Sequence, residues 1–165
     1  MAREHVSARL ETYDPAYARA FAELNYQWIE EYFVVEDEDR AALEDPEGYA
    51  INPGGEIFVV LEDDVVVGCV AMVPAKGDEQ GGVYELAKMA VRPDRRGRGY
   101  SQLLMQACID FARGKDADEI MLVTNDILAP ALGLYTSAGF QAVTYSDTRY
   151  ERGNLEMRLS LKPRG

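Results

Sequence analysis

The run Arg95-Arg96-Gly97-Arg98-Gly99-Tyr100-Ser101 follows Val83-Tyr84-Glu85-Leu86-Ala87-Lys88-Met89-Ala90-Val91, which reads as a strand, and precedes residues 102–113, which read as a helix. A strand, a glycine loop and a helix therefore come in that order. Glycine takes positive φ without steric cost and lets the backbone approach a ligand, while the first N–H groups and the dipole of a helix favour negative charge. Arg96 and Arg98 add guanidinium groups of the kind that pair with phosphate oxygens. A short glycine loop alone is as readily a solvated surface turn as an anion site. Its surroundings decide between the two.

Outward from this loop, the chain alternates strand and helix signals. Residues 6–12 alternate as a first strand, and Asp14-Pro15 supplies an N-cap followed by proline in the first helical turn. The helix that follows carries Tyr17, Phe21, Leu24 and Trp28 on one stripe, a core face. Residues 36–44 read as a short acidic helix stopped before Pro46, and Asn52-Pro53-Gly54-Gly55 as a turn. Residues 57–61 and 65–73 form a β-hairpin pattern around Glu62-Asp63-Asp64, and residues 77–82 a polar loop. Strand four, residues 83–91, ends at Arg92-Pro93, where the residue before proline is held extended. Beyond the glycine loop, Leu103, Leu104, Ala107, Cys108 and Phe111 share one helix face, and Gly114 ends it. Residues 119–124 read as strand five, 130–137 as a short helix closed by Gly139, and 141–145 and 155–161 as two more strands around a loop at 146–154. Hairpins at both ends with one central crossover predict an α/β (α+β) fold with a largely antiparallel sheet rather than a parallel Rossmann sheet.

Composition narrows the classes. A chain of 165 residues has the size of one domain, residues 1–165, able to bury a core without disulfide or metal staples. No leader-like apolar run and no membrane-length segment stands in it, so a cytoplasmic location is expected. Cys69 and Cys108 fall in apolar patterns and read as small buried hydrophobes, and a single histidine, His5, leaves little for a zinc site or a histidine-based triad, so no metal is expected. The net charge of −12 disfavours nucleic acid and anionic membrane as partners. Four of the seventeen basic residues nevertheless fall between Arg92 and Arg98, which fits a small anionic ligand. The remaining acidity is that of a solubilised surface, or it attracts a cationic second substrate.

Two separated stretches make the chain resemble the GNAT-type N-acetyltransferase superfamily, over residues 6–161. The first is Arg96-Gly97-Arg98-Gly99-Tyr100-Ser101, similar to the family phosphate loop written [Q/R]-x-x-G-x-[G/A], with Ser101 departing at the last position. The second is Thr124-Asn125 followed by Leu134-Tyr135-Thr136-Ser137-Ala138-Gly139-Phe140, similar to the family's asparagine after strand five and its helix ending L-Y-x-x-x-G-F. The resemblance implies a mixed, largely antiparallel sheet of six to seven strands flanked by helices, with strands four and five splayed at a cofactor site. It implies acetyl-CoA as cosubstrate, its pyrophosphate on Arg96, Gly97, Arg98, Gly99, Tyr100 and Ser101. The pantetheine arm is expected along the main chain of Met89, Ala90 and Val91, since its amides pair with a free strand edge as an added strand does. Asn125 is expected to bond that arm or to cap the helix that follows, the cap being the more ordinary role.

The chemistry implied is acetyl transfer to a small-molecule or peptide amine by direct attack in a ternary complex. An alkyl amine with a pKa near 10.4 is almost fully protonated at neutral pH, so a base or a desolvating site is useful. Glu85 stands where several family members carry a catalytic glutamate, against the alternative of a strand carboxylate paired with Lys88 or another cation. Tyr135 matches the family tyrosine that donates a proton to the departing thiolate, against the alternative of packing on Phe140. Family members commonly cover the acceptor pocket with the segment after the first helix, here residues 28–38 with Glu30, Glu31, Tyr32, Phe33 and Glu36, a set that equally suits an amphipathic helix with a wet face. A homodimer is the family precedent, and a non-catalytic acyl-CoA-binding module is the alternative function.

Overall fold

The computed structural model describes residues 7–76, 78, 81–125, 128–143 and 155–162. Its strands are β1 (Ala8–Thr12), β2 (Glu56–Glu62), β3 (Val65–Pro74), β4 (Val83–Val91), β5 (Glu119–Thr124), β6 (Gln141–Val143) and β7 (Leu155–Ser160). Its α-helices are α1 (Ala18–Tyr32), α2 (Asp37–Glu44), α3 (Tyr100–Gly114) and α4 (Ala129–Ala138). The strands form one sheet in the order β1-β2-β3-β4-β5-β7-β6. Only β4 and β5 pair in parallel, so the expected mixed and largely antiparallel sheet is the one found. The expected loop at 146–154 and the end of the strand at 141–145 lie outside the described residues, as does residue 6 of the first strand.

Local chemistry sets the boundaries. Asp14 Oδ1 accepts from the Ala16 N–H at 2.9 Å and opens the turn Pro15–Tyr17 that leads into α1. Asp63 and Asp64 both take positive φ, 48° and 67°, which matches the tight hairpin turn that the twist of β2 and β3 requires. Within β2 the residues alternate between two cores. Phe58 and Val60 face α3 with Val70, Met72, Leu104 and Cys108, whereas Ile57, Val59 and Leu61 face α1 with Phe21, Leu24 and Ala71. Helices on both faces explain why the strand reads as a continuous apolar run. On α3 one expected core residue is misplaced: Leu103 is 39% exposed, and Met105 and Ile109 are buried instead. The helix turns its buried stripe one residue further round than the spacing from Leu103 suggests.

The opening in the sheet is the feature that matters for function. Parallel pairing holds only Val83 to Glu119, Tyr84 to Ile120 and Glu85 to Met121. Beyond Met121, β5 stays with β7 as far as the pair of Thr124 with Leu155. Meanwhile β4 bulges at Lys88, whose φ is +58°, opposite a register shift between Cys69 and Ala71 of β3. A bulge bends its strand and increases local twist. The two strands part, and the edge of β4 from Leu86 onward is left without β5.

Candidate active site

The parted strands open a groove of about 890 Å³ that runs from Met89, Ala90 and Val91 to the glycine loop and is walled by Ala131, Leu134 and Tyr135 of α4. Arg96, Gly97, Gly99, Tyr100 and Ser101 all line it. Gly97 and Gly99 both take φ of +82°, and Gly99 is the N-cap of α3. A Cβ at Gly97 would meet nothing within 4 Å, and one at Gly99 only Gln102 Oε1 at 3.9 Å. Backbone conformation therefore demands glycine here, and the space above the loop is open. The first intrahelical bond runs from Leu103 N–H to the Gly99 carbonyl at 3.1 Å, so the N–H groups of Tyr100, Ser101 and Gln102 precede it and present the positive end of α3.

Glu62, at the end of β2 and 4% exposed, holds this loop in place. Arg95 Nε donates to it at 2.7 Å and Arg98 at 3.4 Å, and the Tyr100 hydroxyl donates a short bond. Burial would raise the Glu62 carboxyl, but the bonds from Tyr100 and Arg95 outweigh it and bring the group below its ordinary value. Hydrogen bonding to Glu62 is also the main reason that the Tyr100 phenol is raised. Two expectations change accordingly. The Arg98 side chain turns to Glu62 and does not line the groove, and Tyr100 offers the groove its main chain while its hydroxyl is spent on Glu62. Arg96 does face the groove, and its guanidinium spans to Glu31 of α1 by bonds of 3.0 and 3.3 Å. Both partners are well exposed, so this pair holds weakly.

Past Met89 the groove meets an inner cavity of about 100 Å³, lined by Glu85, Leu86, Ala87, Lys88, Asn125 and Tyr135 and by Asn25, Trp28 and Phe33 from α1 and its end. Glu85 is 4% exposed on this wall. Lys88 Nζ donates to Asp39 Oδ1 of α2 at 2.8 Å in a nearly dry pair. Tyr135 borders both spaces. Its ring packs on Phe140 at 6.0 Å between centroids, and burial, helped by Cys108, pushes its phenol up to about 12. Gly139, in the left-handed conformation at φ +105°, closes α4 behind it. Asn125 lines the cavity, and the N-cap position of α4 is Leu128, which makes no side-chain cap bond. Trp28, expected in the core, is half-buried and lines both spaces.

The cysteines lie off the site and are inert, since burial pushes the Cys69 thiol up to about 12 and raises that of Cys108 as well. No group of three or more His, Cys, Asp or Glu among the described residues is placed to hold a metal. No helix among the described residues is long and apolar enough to cross a membrane. Sequence reading passed over Glu62, seen only as part of a turn, and Asn25, a polar residue beside an apolar stripe. An acyl thioester on a pantetheine arm with a terminal pyrophosphate fits the residues present: open space over two glycines, bare helix N–H groups, and an unpaired strand edge leading to Tyr135.

Comparison with known proteins agrees with that fit. The Acetyltransferase (GNAT) family matches residues 21–140. N-acetyltransferase family 8 member 2 of Rattus norvegicus is 31% identical over 103 residues, 62% of this chain and 46% of that protein. N-acetylaspartate synthetase of Xenopus tropicalis is 34% identical over 105 residues, 63% of this chain and 38% of that protein. The matched segment thus spans less than half the length of either relative. Among solved structures, a GNAT-family acetyltransferase of Staphylococcus aureus Mu50 superposes with a TM-score of 0.84 at 20% identity, covering 94% of this chain and all of the other. An acetyltransferase of Salmonella typhimurium, solved with its cofactor acetyl-CoA, gives 0.75 at 19% identity with 96% of each chain covered.

Proposed function

Because the chain belongs to the acetyltransferase (GNAT) family, we propose that it transfers an acetyl group from acetyl-CoA to an amine acceptor by direct attack within a ternary complex. The observation that carries this reading is the parting of β4 from β5, which joins a glycine loop at one end to Glu85 and Tyr135 at the other. Acetyl-CoA supplies the activated acetyl thioester. Gly97, Gly99, Ser101 and the first N–H groups of α3 receive its pyrophosphate, with Arg96 exchanging Glu31 for a phosphate oxygen. The β4 main chain at Met89, Ala90 and Val91 holds the pantetheine arm as an edge strand would, with Asn125 orienting it from the opposite wall.

Glu85 takes a proton from the acceptor ammonium, directly or through water, which frees the nitrogen lone pair. Tyr135 keeps its proton at neutral pH and gives it to the departing thiolate sulfur. The raised thiols of Cys69 and Cys108 support direct transfer over an acyl-enzyme. A thiol-release assay with acetyl-CoA over polyamines, amino acids, aminoglycosides, arylamines and peptides tests the reading. It predicts amine-dependent release of CoA. Tight acetyl-CoA binding with no release for any amine class would make the protein a sensing module instead.

A further inference from the structure

Asn25 sits on α1, 2% exposed, and lines the inner cavity beside Glu85 and Tyr135. Its Nδ2 donates to the Phe21 carbonyl at 2.9 Å and to Cys69 Sγ at 3.4 Å. Neither of those groups lines the cavity. The Phe21 carbonyl can only accept, so it fixes which way round the amide lies. Oδ1 is left with no hydrogen-bond partner among the described residues, on a side chain that lines the cavity. An amide oxygen so buried is costly without a donor, so whatever fills this end of the cavity must bring an N–H or O–H group. Glu85 lines the same wall and adds carboxyl oxygens as further acceptors, which suits a donor group with more than one N–H.

We infer that Asn25 Oδ1 is a binding group for the acceptor, accepting an N–H from a primary alkylammonium whose second N–H faces Glu85. This rests on the acetyltransferase reading and adds the class of acceptor. The inner cavity, about 100 Å³ against about 890 Å³ for the groove, admits only the slim end of a molecule. Trp28 and Phe33 line it with apolar surface suited to an alkyl chain. The class is therefore an unbranched primary amine. A secondary ammonium keeps two N–H groups but brings a second alkyl branch into the narrow cavity, and a quaternary ammonium has no N–H to give.

Trp28 is the chain's single tryptophan and lines both spaces, so its emission reports each ligand. The experiment titrates the full chain first with CoA and then, at saturating CoA, with n-butylamine or with N,N,N-trimethylbutylammonium. Tighter binding of n-butylamine by about ten- to a hundredfold is expected, the range for a hydrogen bond to a charged group. Asn25→Leu is expected to lose that preference while keeping CoA affinity. Equal binding of the two ligands by the parent overturns the inference even if the variant fails to fold, as does an Asn25→Leu protein with the parental preference. Failure of CoA itself to bind overturns the cofactor reading and this inference with it.

Discussion

Tyr135 holds its proton well above neutral pH because burial pushes the phenol up to about 12, and its ring is fixed against Phe140. Tyr135→Phe removes the proton and keeps the ring. Turnover is expected to fall about 10²-fold with acetyl-CoA affinity unchanged, measured with a reactive amine where chemistry limits the rate. The two loop glycines were legible because their backbone requires glycine, and Tyr135 because its helix end resembles the family motif. Arg98 was not, since its partner Glu62 lies 36 residues earlier and only the fold brings them together. Asn25 gives no sequence signal: an oxygen left without a partner among the described residues is a property of how α1 packs on β3.

At the scale of elements, the clasp of Glu62 on the loop links β2 to the start of α3. The Glu62 carboxyl is lowered in the folded chain, so its stabilisation is fully present above the ordinary carboxylate range and is lost as pH falls through the lowered folded value. Glu62→Gln is expected to cost about 1–3 kcal/mol near neutral pH, to weaken acetyl-CoA binding, and to flatten the acid limb of melting temperature against pH. A second tie, Lys88 to Asp39, pins α2 to the bulge of β4 in a dry interior. Asp39→Ala is expected to cost about 3–5 kcal/mol by chemical denaturation, because it breaks a buried ion pair and removes the bond that Asp39 accepts from the Glu36 N–H at the start of α2. The strands and helices themselves were readable from period and punctuation. The bulge was not, because a residue like Lys88 takes positive φ only where tertiary pairing imposes it.

Over the whole molecule, the order of hairpin, crossover and hairpin in the sequence already implied a mixed sheet, and the splay between β4 and β5 followed from the family resemblance rather than from any residue pattern. The net charge of −12 has a local exception in the loop, where main-chain N–H groups and Arg96, rather than a broad basic surface, are what the proposed site offers an anion. The central claim is that this loop and the open edge of β4 together form the acetyl-CoA site. A ligand that binds only the native state adds about 2.7 kcal/mol at a hundredfold excess over its Kd, which raises the melting temperature of a chain this size by about 5–10 °C. Gly99→Glu puts a side chain and a negative charge into the space over the loop. Thermal unfolding of both proteins with and without acetyl-CoA is the direct measurement. The parent is predicted to shift by that amount and Gly99→Glu by none, each measured against its own ligand-free melting temperature, which in the variant is lower by about 2–8 °C because a side chain at φ +82° is strained. A parent that does not move, or a variant that moves as far, would contradict the claim.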